Sequence, residues 1–207
     1  MSNKTKQDTK TDDINIFKES LIIGQTYKDV LSKKDLWKEI AELYHGEFKI
    51  KQTISKDISS FRMEIPYKNH LIILTESDTK PLKFETEIRL NITFEFNISW
   101  EDNFERILKL FGKHDIKIGD LEFDKQYLIQ SNDSELITKI LNYKALSTTF
   151  LKYNIYLMNL EYIHKNGLHK LMVVKDRNTK NKEIMIELIE IQFNVIDFFS
   201  NENILHN

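Results

Sequence analysis

The chain has 207 residues, of which 41% are hydrophobic and 30% charged, with a formal net charge of -2. That balance suits a globular protein with a core of its own. Without a basic excess it offers no general electrostatic grip on nucleic acid or anionic lipid. The absence of cysteine excludes disulfides, thiol catalysis and Cys-ligated zinc, and agrees with a cytoplasmic setting.

Alanine occurs only at Ala41 and Ala145, whereas Ile, Lys and Asn are abundant, a bias that reads as an AT-rich bacterial genome rather than a function. Residues 1–13 carry no apolar side chain after Met1 and read as a disordered tail. Residues 14–207 read as a single α+β domain. No h-region of a secretory signal is present. The longest apolar runs, such as Leu71–Leu74, fall far short of the ~20 residues of a membrane helix, so no integral membrane segment is expected.

Residues 14–30 fit either a short helix or an edge segment. From 32 to 44 the spacing predicts a helix, with Ser32 and Asp35 as a capping box and Gly46 as its stop. Leu36, Trp37, Ile40, Leu43 and Tyr44 form its apolar face. The period then changes to two. Phe48, Ile50 and Ile54 alternate with polar residues, as do Phe61, Met63 and Ile65. Residues 71–76 form a more apolar strand, and ESDTKP (76–81) reads as a turn leading to Pro81.

Residues 83–98 alternate throughout, with Phe84, Ile88, Leu90, Ile92, Phe94, Phe96 and Ile98 on one face. One dry and one wet face indicate an antiparallel sheet. Sixteen extended residues would reach about 50 Å, whereas a globule of this length is about 43 Å across. The unbroken alternation therefore predicts one strongly curved strand. Ser99 and Asp102 then start a helix that Gly112 ends. Residues 121–130 read as strand, 133–142 as helix capped by Asn132 with Glu135, and 144–152 as a further helical piece. Residues 155–164 and 168–175 pair as a hairpin around Asn166-Gly167. A long amphipathic helix over 181–199 follows. The sum is a single α+β domain, with a large curved antiparallel sheet packed by amphipathic helices and a C-terminal helix.

Three stretches carry candidate chemistry. FDKQYLIQSND (123–133) leads into a helix N-terminus, where Asp124, Ser131 and Asp133 are candidate binding residues for an anion or metal. Each also has a structural use in a strand or cap. HDIKIGDLEFD (114–124) gathers His114, Asp115, Asp120 and Asp124, types that hold divalent cations, at a spacing that fits no calcium loop. In the hairpin, a two-residue Asn166-Gly167 turn would set His164 directly opposite His169, with Cβ atoms about 5 Å apart. Such a pair can hold a transition metal, or repel when both are protonated. No Walker, Rossmann, nucleophile-elbow or HExxH pattern is present.

Phe123, Asp124, Tyr127, Ile129, Ser131 and Asp133, with the helix, hairpin and closing helix that follow, resemble a bacterial domain-of-unknown-function family with a Phe-Asp-x-x-Phe-x-Val-x-Ser-x-Asp-like signature. The likeness covers roughly 85–199. Many members carry N-terminal membrane helices, for which this chain has no matching apolar run. The resemblance implies a fold and brings no activity. With no cofactor indicated, the residues favour a non-catalytic protein- or ligand-binding module with a protein partner, such as an immunity or accessory factor, or with a second copy of itself. The alternative is a metal-dependent hydrolase-like enzyme using the 114–124 loop or the His164 and His169 pair. A third option is peripheral membrane association through the tail and residues 14–30.

Overall fold

The computed structural model describes residues 26–53, 58–100, 115–175 and 181–206. The expected tail over 1–13, most of the ambiguous 14–30 segment and the body of the helix expected after Ser99 lie outside them.

The first half is a helix followed by a meander. Helix α1 (Thr26–Leu43) precedes strands β1 (Glu47–Thr53), β2 (Ile58–Tyr67), β3 (His70–Ser77) and β4 (Lys80–Ile88), each antiparallel to the one before. Helix α1 begins at least six residues ahead of Ser32, which lies in its interior and is not its cap. Trp37, Ile40 and Ala41 are buried as its spacing requires, but Leu43 is exposed. Its stop also differs from the expectation. His45, not Gly46, takes the left-handed backbone at φ 53°. Gly46 is needed because a Cβ there would stand 2.5 Å from the Glu64 carbonyl oxygen.

The segment expected as one curved strand is two. After β4 the chain runs without regular pairing from 89 to 95, then forms β5 (Phe96–Trp100) elsewhere in the same sheet. The edge of β4 is taken by a hairpin from much later in the chain, so the connection must cross the hairpin's end to reach its far side. Alternation does not hold through the crossing: Leu90 bridges Leu205 and Phe94 packs on Phe199 at 6.2 Å, but Ile92 between them is exposed. The apolar period therefore neither keeps the backbone in one strand nor buries every residue that follows it. Ser99 and Trp100 belong to β5 rather than to a helix start.

Helix α2 (Leu121–Gln126) leads into β6 (Tyr127–Ser131), so only the second half of the expected 121–130 strand is strand. Helix α3 (Ser134–Asn142), a 3-10 turn (Tyr143–Ala145) and helix α4 (Leu146–Tyr153) follow, then β7 (Leu157–Ile163), β8 (Leu168–Lys175) and the closing helix α5 (Lys182–Asn201). The order across the sheet is β1-β2-β3-β4-β8-β7-β5-β6, and every pairing is antiparallel. The fold is therefore an α+β domain with a C-terminal helix, as the sequence indicates.

The helices share one apolar cluster with a single face of this sheet. Trp37 meets Phe61 at 5.6 Å, and α5 buries Met185, Leu188, Ile189, Val195, Ile196 and Phe199. A polar lock ties α5 to the sheet. Tyr67 stacks on Phe193 at 3.8 Å and donates to Asp197 at 2.7 Å, while Lys68 and Lys144 reach Asp197 at 2.8 and 3.5 Å. Burial pushes the Asp197 carboxyl up, but the bonds from Lys68 and Tyr67 outweigh it and hold the group below its ordinary 3.8. Its contribution to stability is therefore present above that value and lost as pH falls through the lowered one.

Gln192 sits fully buried on the core side of α5, and neither side-chain polar atom finds a partner among the described residues. A buried amide without partners costs about 1–3 kcal/mol. Gln192→Leu keeps the volume and removes that cost. It is expected to raise the unfolding free energy by about 1 kcal/mol in urea titration, whereas Phe61→Ala should lower it by about 3–5 kcal/mol.

Candidate functional site

The residues singled out between 115 and 133 are held in backbone hydrogen bonds. Asp120 caps α2, its carboxylate accepting from the N–H groups of Glu122 and Phe123 at 3.1 Å. Asp124 accepts from the consecutive amides of Ile118 and Gly119, both at 2.9 Å, and so closes the loop ahead of α2. Asp115 accepts from the Ile129 N–H, and the Ile116 N–H donates to the Ile129 carbonyl. This segment thereby covers the outer edge of β6, where unpaired strand groups would otherwise be exposed.

Ser131 accepts from the Asp133 N–H at 3.1 Å and donates to the Glu95 carbonyl at 3.0 Å. The cap of α3 is Asp133, which accepts from the Leu136 N–H at 2.9 Å, and not Asn132. Asn132 instead behaves like a strand residue toward the crossing connection, accepting from the Glu95 N–H and donating to the Thr93 carbonyl. His114 lies outside the described residues. Among the described residues no three His, Asp or Glu side chains group as metal ligands would.

The hairpin corrects the histidine geometry. The turn is four residues, His164–Gly167, with the N–H groups of Asn166 and Gly167 both donating to the Ile163 carbonyl. A two-residue type I′ turn needs positive φ at both central positions. Here Gly167 adopts it at 69°, and Asn166 does not. The register shifts accordingly. Tyr162, not His164, stands opposite His169, and His164 sits in the turn. Tyr162 contacts both imidazoles, with ring centroids at 5.0 Å to His164 and 5.1 Å to His169. His169 is 2% exposed, and both of its nitrogens lack a hydrogen-bond partner among the described residues.

A second arrangement was not singled out by sequence reasoning. Helices cover one face of the β1–β4 half of the sheet. On the opposite face a cavity of about 810 Å³ opens over β1, β2, β3 and β4. Its lining follows the cross-strand register in rows. Lys51 pairs with Ser60, Ser60 with Ser77, and Ser77 with Lys80. The next row runs Lys49, Arg62, Thr75, Lys83, and the row after it, which reaches the cavity through Glu85, runs Glu47, Glu64, Ile73, Glu85. Neighbouring rows neutralise each other along the strands, through Lys49–Glu47 at 2.9 Å, Arg62–Glu64 at 2.8 Å and Lys83–Glu85 at 2.8 Å.

Beneath the cavity, the Lys33 ammonium of α1 reaches the Glu76 carboxylate at 2.8 Å and lies 4.9 Å from the Phe61 ring centre. Both partners are buried. Burial pushes Glu85 up, but hydrogen bonds from Lys170 and Lys83 outweigh it and hold its carboxyl below the ordinary value. The stretch ESDTKP is the β3–β4 turn, as its composition indicates, and it also lines the cavity through Glu76, Ser77, Thr79, Lys80 and Pro81. Its concentration of hydroxyl and charged residues was the available signal. The contributions of β1 and β2 became visible only with the register.

No family model matches the chain, and no curated protein matches it. Among solved structures, the chain is similar to the crystal structure of the mycobacterial trehalose monomycolate transport factor A. The two share 10% identity with a TM-score of 0.50, over 80% of this chain and 93% of that one. This likeness shows a common fold. Among the described residues, no helix is long and apolar enough to cross a membrane.

The buried imidazole makes stability depend on pH. Burial lowers the pKa of His169 below its ordinary 6.5 against the opposing charge of Glu95, and burial lowers that of His70 in the same direction. The unfolded chain therefore binds these protons first. Their contribution is full above pH 6.5 and is lost as pH falls through the lowered folded values. Melting temperature is expected to drop as pH falls below about 6.5, and His169→Leu should flatten that drop without destabilising the protein at pH 8.

Proposed function

We propose that this chain is a non-catalytic binding module, and that the cavity over β1–β4 is where it binds. The observation that carries this reading is the lining itself. A space of about 810 Å³ is of the size that takes a small ligand or a partner's side chains. It is lined by Lys49, Lys51, Arg62, Lys80 and Lys83, by hydroxyls, and by two carboxylates.

The character of those groups favours binding over turnover. A general acid or base works best with a pKa near the operating pH. Glu76 and Glu85 are each bound to lysine ammonium groups, and Glu85 is held on the ionised side. Among the described residues no histidine lines the cavity to activate one of its hydroxyls. The Asp120 and Asp124 carboxylates, which the hydrolase alternative would need, accept from backbone amides instead. The fold shared with a transport factor names no ligand for this chain.

Native mass spectrometry of the full chain, freshly purified from its host without chelator, tests the reading. A discrete adduct or partner is expected, and its removal should speed amide exchange in β1–β4. Turnover of a substrate by the purified chain alone would overturn it.

A further inference from the structure

We propose that the β1–β4 cavity takes a small phosphorylated molecule of more than one negative charge, held between Lys51 and Lys80. This rests on the binding-module reading and names the chemical class of its ligand.

The charge arrangement on this face is uneven in one direction. Lys49, Arg62, Lys83 and Lys170 each have a carboxylate within 2.9 Å. Lys51 and Lys80, which end the outermost row, have none among the described residues, and both are exposed. That row reads Lys51, Ser60, Ser77, Lys80, one residue from each strand. Adjacent strands lie about 4.8 Å apart, so the two lysine backbones stand about 14 Å from each other with two serines between them. Flexible four-carbon stems let both ammonium groups converge over the serines. The surplus of positive charge thus lies at the cavity's outer row, flanking the Ser60 hydroxyl and that of Ser77, which is buried and accepts from the Thr79 N–H at 3.4 Å; the Asp78 carboxylate beside this row accepts from the Ser59 N–H at 2.7 Å.

The donor types select among anions. A planar carboxylate is best matched by the bidentate fork of arginine. The Arg62 Nε is already committed to Glu64 at 2.8 Å. Lysine ammonium groups act as point charges, and they and the hydroxyls can address the several oxygens of a phosphate from different sides. The chain's overall charge of -2 gives no general attraction for anions, so an anion bound here is held by the local row.

The test is titration calorimetry of the full chain at 0.15 M NaCl with inorganic tripolyphosphate, and with citrate as the carboxylate comparison. Tripolyphosphate should bind at one site per chain, and more tightly than citrate. Lys51→Glu with Lys80→Glu should weaken it about tenfold or more, a difference of 1.4 kcal/mol or above. Lys51→Ala with Lys80→Ala, which places no new charge on the sheet, should weaken it in the same direction. Lys165→Glu, in the hairpin turn, should leave it unchanged. The melting temperature of each variant establishes that it is folded.

The proposal is overturned if tripolyphosphate does not bind, if both double variants bind it as the parent does, or if citrate binds as tightly. Any of these, with an adduct still seen by native mass spectrometry and still slowing amide exchange in β1–β4, removes the phosphate inference and leaves the binding module standing. Substrate turnover by the chain alone removes the module, whatever the lysines do.

Discussion

The pairing of β4 with β8 is the seam on which the molecule depends. Seven residue pairs, from Leu82 with Lys175 to Ile88 with His169, join a meander built from residues 47–88 to a set of strands built from 96–175. Each set alone is a four-stranded sheet with one apolar face. Joined edge to edge, they present a single face wide enough for α1 and α5 to cover, and a shared cluster runs from Trp37 to Phe199. The seam is non-local, pairing residues 82–88 with residues 169–175, so a long stretch of chain must be closed to form it. It also explains the crossing at 89–95, since the hairpin occupies the positions that a continued strand would have taken.

The same seam separates the roles of the two faces. The helix-covered face accepts polar groups at a few points, and there they are conspicuous. Gln192 and His169 are buried without partners among the described residues, whereas Lys33 and Glu76 are buried as an ion pair. Such a pair adds little net stability over an apolar replacement but is costly to break singly. It fixes α1 over the end of the sheet where the cavity opens. On the opposite face, Asn97, Ser99 and Gln130 of β5 and β6 are buried, whereas Lys49, Lys51 and Lys80 at the β1–β4 end are exposed.

Much of the fold was legible because burial imposes a period. The closing helix, the β2–β3–β4 alternation, the hairpin around Gly167 and the helix over 134–142 all follow from apolar spacing and turn chemistry. The departures have different causes. Alternation from 84 to 98 does not imply one strand, because a distant hairpin takes the place beside β4, whereas the Asn-Gly turn lengthens locally, Asn166 not adopting the positive φ that a two-residue turn needs. The short helix α2 was hidden for another reason. Phe123 and Tyr127 are four apart and stack at 4.6 Å, a spacing that a strand pattern also places on one face.

The sequence by itself determined the class of the protein: an α+β chain without thiol chemistry, with one-sided strands and an amphipathic closing helix. These follow from residue types and near-neighbour spacing, which local sterics and burial act upon directly. Only the tertiary structure decided the strand order, the partner of each histidine and the row from Lys51 to Lys80. Those residues are 29 positions apart in the chain and become neighbours across a floor of serines through three successive strand registers. A register is set by the sum of many side-chain contacts along both strands, and no single residue in the row carries it.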